Sequence, residues 1–174
     1  PKNRYELTRA MEWAVAYDGP IAIKYARGQA YYGLKDYNEP VEYGKSEILR
    51  EGSEIALVAV GNMVEETEKL YNRFLQEGRQ VTFVNARFIK PLDKEMIDHL
   101  AETHKLIVTI EEGILHGGYG ALVEEYLESK ASDVKVLPIA IEDTFVRHGS
   151  VEELRKMLKI DAESIYRRIR DIME

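Results

Sequence analysis

The chain has 174 residues, a length that fits one domain of ordinary size with some chain to spare. Hydrophobic residues make up 45% of it, enough to build a core, which argues against a disordered chain. The net charge of −7 argues against a nucleic-acid-binding surface, and the absence of cysteine excludes disulfides and thiolate chemistry.

The first predicted element is a helix over residues 4–16, in which one face carries hydrophobic residues at helical spacing: Leu7, Met11, Ala14 and Val15. Asn3 with Glu6 has the spacing of a capping box at its start. Gly19 and Pro20 end the helix.

A short strand and an irregular segment follow this helix. Ile21, Ile23 and Tyr25 alternate with other residues, which predicts a strand over 21–25. Residues 28–43 show no period and contain turn-forming residues, so we interpret them as a linker.

Beyond the linker, strand and helix patterns alternate. Strands are predicted at residues 44–50, 54–60, 80–86, 105–110 and 134–139. Helices are predicted to begin near Asn62, residues 91–93, residue 118, Ser150 and Asp161, with Asn62–Glu65 and Ser150–Glu153 as capping boxes. The turn at residues 51–53 is so short that it must reverse the chain, which makes the first strand antiparallel. The pattern therefore predicts an α/β domain with a mostly parallel sheet of five strands.

Several polar residues lie where the predicted sheet would bind a ligand. The glycine-rich segment 114–120 precedes a helix, so its backbone N–H groups can bind phosphate, or its glycines can simply let the helix pack closely. Glu111 and Glu112 end the strand before it, but neighbouring strand residues point to opposite faces and do not form an acid/base pair. The four histidines have no metal-binding spacing.

Arg27 is the main candidate site residue. It ends the strand predicted at 21–25 and precedes Gly28, so its guanidinium projects from the edge of a sheet. A guanidinium can bind phosphate through two parallel hydrogen bonds, or it can pair with a neighbouring carboxylate. The residues alone leave both roles open.

Four segments of the chain together resemble one family. Residues 21–28 (IAIKYARG) resemble a segment A-I-R-Y-P-R-G, and residues 84–93 (VNARFIKPLD) are close to V-N-A-R-F-V-K-P-L-D. Residues 108–112 (VTIEE), followed by a G-G-Y-G turn, are similar to L-V-T-V-E-E, and Phe145 with His148 fits the closing pattern. On these motifs the chain is identified as resembling the 1-deoxy-D-xylulose-5-phosphate synthases, which are transketolase-like thiamine-diphosphate enzymes. Ala26 stands where the family usually has proline.

The resemblance implies a layout and a reaction. Residues 1–40 would complete the middle, pyrimidine-binding domain and its linker, and residues 41–174 would form a three-layer α/β/α domain like the C-terminal domain of transketolase. The intact enzyme would use thiamine diphosphate and Mg²⁺ to condense pyruvate, with loss of carbon dioxide, and glyceraldehyde 3-phosphate. The product, 1-deoxy-D-xylulose 5-phosphate, would serve isoprenoid, thiamine and pyridoxal synthesis. Arg27 would bind the phosphate of glyceraldehyde 3-phosphate.

The resemblance also implies what this chain leaves to other segments. The cofactor-binding and magnesium-binding segments of the family would precede residue 1, so no cofactor or metal is expected on the fragment and it is expected to be inactive alone. Its partners would be the missing N-terminal domains, a second subunit in a homodimer and the two small substrates, with no nucleic acid or membrane. The longest apolar runs are too short to cross a bilayer, so a cytoplasmic protein is expected. The alternatives are the same domain from a transketolase, the same domain from a 2-oxo acid dehydrogenase E1 β subunit, and a stand-alone dimerisation module.

Overall fold

A computed structural model describes residues 1–173. The helices are α1 (Arg4–Ala16), α2 (Met63–Gln76), α3 (Lys94–Thr103), α4 (Tyr119–Ser129), α5 (Val151–Met157) and α6 (Ala162–Met173). The strands are β1 (Glu47–Arg50), β2 (Glu54–Ala59), β3 (Thr82–Asn85), β4 (His104–Ile114) and β5 (Lys135–Ile141). None of these helices is both long and apolar enough to cross a membrane.

The five strands form one sheet in the order β1-β3-β2-β4-β5. β1 is antiparallel to β3, and the other neighbouring strands are parallel, as the sequence predicts. The turn at residues 51–53 reverses the chain but does not form a hairpin, because β3 lies between β1 and β2. Ser53 N–H donates to Gln80 O (2.9 Å) and Gly52 N–H to Thr82 Oγ1 (3.0 Å), so the turn crosses the start of β3.

Both faces of the sheet are covered, which confirms the three-layer α/β/α architecture. Leu57 packs with α2 and α6 on one face, in a cluster that includes Phe74 and Ile169. Its neighbour Val58 faces the opposite way and packs with α3 and α4, near Leu100. The central strands are therefore buried on both sides, which explains their continuous apolar runs.

The strand order places a crevice beside β2. β3, which follows β2 in the chain, lies on one side of β2, and β4 lies on its other side. The connections that leave the carboxyl ends of β2 and β4 therefore run away from each other. Ligands of open α/β sheets usually bind at such a point. Asn62 follows the end of β2, and Glu112 lies in the last part of β4, two residues before its end.

The N-terminal residues differ in part from the sequence predictions. α1 has the predicted bounds, and Asn3 Oδ1 accepts from the Glu6 N–H (2.8 Å). The hydrophobic face of α1 is exposed in this structure, since Met11 and Val15 are 55% and 90% exposed and the only buried residue of α1 is Glu6. The Glu6 carboxylate is also not a capping-box partner of Asn3, since it accepts from Lys2 N–H (2.5 Å) instead.

The strand predicted at residues 21–25 does not form. A strand requires a hydrogen-bonded neighbour, and no strand within residues 1–173 pairs with this segment. Residues 17–46 contain no helix or strand at all, which includes the predicted linker.

The caps of the later helices follow the predictions with one exception. Ser150 and Glu153 form the expected capping box at α5. Asn62 makes no side-chain cap to α2, because its amide donates to Glu112 across the crevice instead. Gly78 ends α2 with a left-handed backbone (φ 75°), as its position after the helix indicates.

Candidate functional site

The structure places Arg27 on an exposed bend after α1. Its neighbour Gly28 has φ 122°, a conformation that favours glycine and that turns the chain at this point. Among residues 1–173, no carboxylate pairs with the Arg27 guanidinium and no acceptor is hydrogen-bonded to it. The salt-bridge role that the residues alone left open therefore has no partner in the described part of the chain, and the guanidinium is accessible to a ligand.

A buried cluster of charges lies where the N-terminal residues meet the sheet. It consists of two carboxylates, Glu6 and Glu47, two cations, Lys2 and Arg87, and the amide of Asn85. We call these five residues the charge cluster. Lys2 is 1% exposed, Glu6 3% and Glu47 4%, and the side chain of Arg87 is 5% exposed, so the charges are almost fully removed from water.

Each carboxylate of the charge cluster contacts both cations. Glu6 Oε1 accepts from Lys2 Nζ (3.2 Å), Arg87 Nε (2.8 Å) and Asn85 Nδ2 (2.8 Å). Glu47 Oε2 accepts from Lys2 Nζ and from Asn85 Nδ2 (3.2 Å). Glu47 Oε1 lies 3.0 Å from Arg87 Nη2 but makes no aligned hydrogen bond, so this contact is an ion pair only.

The formal charges of the cluster balance, with two carboxylates beside two cations. Burial raises the pKa of Glu6, but the charge of Lys2, the Lys2 N–H and the charge of Arg87 outweigh it and hold that pKa below its usual value. The Glu6 carboxylate is therefore held in its ionised form beside the two cations. Removing one member of such a buried pair typically costs ~3–5 kcal/mol, because the partner charge is left uncompensated.

Glu111 caps a helix from the end of β4. Its Oε1 accepts from Gly120 N–H at the start of α4 (2.9 Å), and the residue is 6% exposed. A carboxylate at a helix N-terminus satisfies a free N–H and interacts favourably with the helix dipole. Glu111 therefore occupies the position at which the glycine-rich segment would bind a phosphate.

The glycines of this segment allow α4 to lie close to the sheet. A Cβ on Gly120 would stand 2.6 Å from Thr109 Oγ1 and 2.8 Å from Pro138 Cβ. A Cβ on Gly118 would stand 2.3 Å from Ile114 O. Of the two roles that the sequence left open, the contacts support close packing.

Glu112 points to the other face of β4, as strand geometry requires. It accepts from the Asn62 amide and lies 3.4 Å from Arg155 Nη2. Arg155 also reaches Glu66 (3.5 Å), so α2, β4 and α5 are joined across the crevice. Glu111 and Glu112 contact different helices and do not form an acid/base pair.

His104 links two elements of the fold. His104 Nε2 lies 2.7 Å from Thr82 Oγ1 and His104 Nδ1 lies 3.2 Å from Leu100 O, so the ring joins β3 to the end of α3. His99, His116 and His148 are exposed. Within residues 1–173, no three His, Cys, Asp or Glu residues are grouped so that they could hold a metal ion.

Comparison with known families agrees with this architecture. Residues 44–165 match the family "Transketolase, C-terminal domain". The chain belongs to that family. The matched region begins just before β1 and extends into α6, so it contains the whole five-stranded sheet.

Transketolase-type relatives with curated names cover almost all of this chain. The 1-deoxy-D-xylulose-5-phosphate synthase of Lachnoclostridium phytofermentans is 43% identical over 97% of the chain and 27% of its own length. That of Heliobacterium modesticaldum is 39% identical over 100% of the chain and 27% of its own length. The chain therefore spans about a quarter of the length of the curated relatives it matches.

Solved transketolase structures share the fold. A split-gene transketolase in an inactive β4 tetramer superposes with a TM-score of 0.89, at 23% identity, over 98% of this chain and 55% of its own chain. The transketolase of Campylobacter jejuni subsp. jejuni superposes with a TM-score of 0.56, at 18% identity, over 79% of this chain and 21% of its own chain. At these identities the likeness concerns the fold alone.

Sequence reasoning on this transketolase-type domain missed the charge cluster. Lys2 and Glu6 are four residues apart on a short amphipathic pattern, which is typical of a solvent-exposed pair. Arg87 is 81 residues beyond Glu6, so only the tertiary fold brings the three together. The one local signal is the position of Glu6 at the start of α1. A carboxylate that is buried there needs a partner from elsewhere in the fold.

Proposed function

We propose that this chain is the C-terminal part of a 1-deoxy-D-xylulose-5-phosphate synthase. The observation that carries the proposal is the identity of 39–43% to two enzymes of that name along almost the entire chain. That similarity extends over residues 1–43, which lie outside the matched transketolase domain and contain Arg27. The intact enzyme joins a two-carbon unit from pyruvate to glyceraldehyde 3-phosphate, with loss of carbon dioxide.

The proposed layout has two units. Residues 1–40 complete a pyrimidine-binding domain and its linker, and residues 41–174 are the C-terminal domain. The exposure of Met11 and Val15 on α1 supports this division. Exposed hydrophobic residues of this kind would be covered if the rest of a domain packed against the helix. The unpaired segment 21–25 has the alternation of a strand and would join a sheet supplied by that domain.

The chemistry itself is proposed to belong to other segments of the enzyme. When bound, thiamine diphosphate would supply the carbanion chemistry and Mg²⁺ would hold its diphosphate. Within residues 1–173 no three His, Cys, Asp or Glu residues are grouped so that they could hold a metal ion, and we propose that the Mg²⁺ ligands come from other segments of the enzyme. We expect no turnover by the 174-residue chain alone, and a cytoplasmic homodimer as the working enzyme.

Arg27 is proposed to bind the phosphate of glyceraldehyde 3-phosphate. Its guanidinium is exposed, and the described residues provide no carboxylate that would neutralise it. A planar guanidinium donates two parallel hydrogen bonds to one phosphate, which both binds the substrate and orients its aldehyde. By contrast, a groove of about 440 Å³ between α4 and β5 is lined by Glu124, Glu125 and Glu128, whose charges would repel a phosphate.

The test uses the full-length synthase with this sequence as its C-terminal part. Arg27→Ala should raise the KM for glyceraldehyde 3-phosphate about tenfold to hundredfold, since a charge-assisted hydrogen bond contributes roughly 1.5–3 kcal/mol. The KM for pyruvate should change little, because pyruvate carries no phosphate. Arg27→Lys should restore part of the binding, since an ammonium keeps the charge but not the bidentate geometry.

A matched control is Arg167→Ala, which removes an arginine that is also exposed but pairs with Glu163 on its own helix. It should leave both KM values unchanged. If Arg27→Ala leaves the ratio of the two KM values as it was, Arg27 does not bind the phosphate and the proposed role is wrong.

A further inference from the structure

The segment that carries Arg27 begins and ends at neighbouring places on the domain. Residues 7–38, here called the Arg27 excursion, contain most of α1, the exposed bend and the chain that returns to the sheet. At its base, Arg4 N–H donates to Tyr31 O (3.1 Å) and Asn3 Nδ2 donates to Gly33 O (2.8 Å). The two ends of the excursion are therefore held side by side.

Arg87 contacts both ends of the excursion. Its Nε donates to Glu6 Oε1 (2.8 Å) at the outgoing end. Its Nη1 and Nη2 donate to Pro40 O (2.8 Å) and Glu39 O (3.0 Å), in the chain that returns from the excursion. Since Arg87 lies two residues beyond the end of β3, one guanidinium ties both ends to the sheet.

The backbone of Arg87 indicates that this contact is imposed by its surroundings. Its φ is +53°, in the left-handed region, which a residue with a side chain adopts only when neighbouring contacts hold it there. The Arg87 N–H lies 3.4 Å from Asn85 Oδ1, a second member of the charge cluster. The same buried cluster thus holds both the main chain and the side chain of Arg87.

Polar contacts, rather than apolar packing, fix this end of α1. Glu6 is the only buried residue of the helix, and its carboxylate is bound entirely by members of the charge cluster. At the far end, Trp13 and Tyr17 stack with Tyr43 (ring centroids 6.2 and 5.3 Å apart) at a partly exposed surface. The buried end therefore depends on charge pairing and the far end on aromatic contacts.

We infer that Arg87 is a positioning residue that, through the charge cluster, fixes the Arg27 excursion on the sheet. Glu6 and Glu47 hold the guanidinium of Arg87, and that guanidinium holds the two ends of the excursion. The anchoring does not depend on the proposed function, but its effect on phosphate binding by Arg27 does rest on it. The side chain of Arg87 is 5% exposed and its guanidinium is bound by Glu6 and by the carbonyls of residues 39–40, so it acts through the place it gives to Arg27.

Hydrogen–deuterium exchange of the 174-residue chain tests the anchoring directly. Arg87→Lys keeps a positive charge beside Glu6 and Glu47 but loses the paired hydrogen bonds to the carbonyls of residues 39–40. Amides of residues 8–16 should then exchange about tenfold faster or more, since each lost hydrogen bond from a charged donor weakens the closed state by about that order. Amides of β4 should be affected much less. Arg167→Lys, an exposed arginine outside the cluster, is the matched control.

A second variant keeps the inference testable if charge imbalance alone prevents folding. Arg87→Met leaves Glu6 and Glu47 with only Lys2, whereas Arg87→Met with Glu47→Gln leaves one carboxylate and one ammonium. The double variant should fold and still release residues 8–16. Equal loss of protection in α1 and β4, or no loss in α1, would overturn the anchoring.

Kinetics of the full-length synthase separate this inference from the proposed function. Arg87→Lys should raise the KM for glyceraldehyde 3-phosphate severalfold and leave that for pyruvate unchanged, as a displaced Arg27 would. If Arg27→Ala raises that KM but Arg87→Lys does not, the positioning role is wrong and the proposed function stands. If Arg27→Ala has no effect, the proposed phosphate site is wrong, and the exchange experiment still decides whether Arg87 anchors the excursion.

Discussion

The contact between Glu111 and α4 can be tested by changing one side chain in two ways. Glu111 is 6% exposed, and its Oε1 accepts the Gly120 N–H at 2.9 Å. α4 has no cap of its own, because its N-cap residue is Gly118. Glu111→Ala removes the acceptor and the charge together, whereas Glu111→Gln removes the charge and keeps an oxygen at about the same place.

The magnitudes follow from the two parts of the contact. Loss of a capping acceptor costs about 0.5–2 kcal/mol. Loss of a negative charge near a helix N-terminus costs roughly 0.3–1 kcal/mol. Glu111→Ala should therefore lower the free energy of unfolding by about 1–3 kcal/mol, and Glu111→Gln by about 0.3–1 kcal/mol.

Urea unfolding followed by circular dichroism measures both changes, with an unchanged dependence of the free energy on urea as the check on comparability. Glu125→Ala is the matched control, because Glu125 is exposed on the same helix and should shift the free energy by no more than about 0.5 kcal/mol. If Glu111→Ala is no more destabilising than that control, Glu111 does not cap α4. If Glu111→Gln costs as much as Glu111→Ala, the charge and not the hydrogen bond stabilises the helix.

Two further predictions concern the packing of the sheet and the protonation of its histidine. Gly120→Ala should lower the free energy of unfolding by about 1–3 kcal/mol, because its Cβ would stand 2.6 Å from Thr109 Oγ1; a change under about 0.5 kcal/mol in urea unfolding would contradict the close packing. Burial holds the pKa of His104 below its usual 6.5, although the carbonyl of Leu100 opposes this. The unfolded chain therefore binds a proton first, stability should fall as the pH drops below 6.5, and His104→Gln should reduce the loss measured between pH 7 and pH 5.

Much of the C-terminal domain could be predicted from local patterns. The strands at residues 54–60 and 105–110 were predicted from their apolar runs, and both form, with Leu57 and Val58 of the first lying in cores on opposite sides of the sheet. The capping box at Ser150 could be predicted as well, because its two residues are only three apart. Glu111 and Glu112 were correctly separated by the alternation of a strand.

Local patterns misled at residues whose partners are distant in sequence. The spacing of Met11 and Val15 predicted a hydrophobic face of α1 but could not show that this face is exposed. Nor could it show that the buried residue of that helix is Glu6, whose charge Lys2 and Arg87 compensate. Alternation at residues 21–25 indicated a strand, but a ladder partner is required for one to form. Asn62 had the spacing of a cap, and the fold instead brought Glu112 within reach of its amide.

By itself, the sequence determined the order and type of most helices and strands, and its motifs pointed to one enzyme family and to Arg27. Only the tertiary structure decided that β3 separates β1 from β2, that Glu111 caps α4 and that Arg87 binds both ends of the Arg27 excursion. The physical reason is the range of the interactions. Helix periodicity and turns act between near neighbours, whereas a buried charge is stable only beside partners that the completed fold supplies.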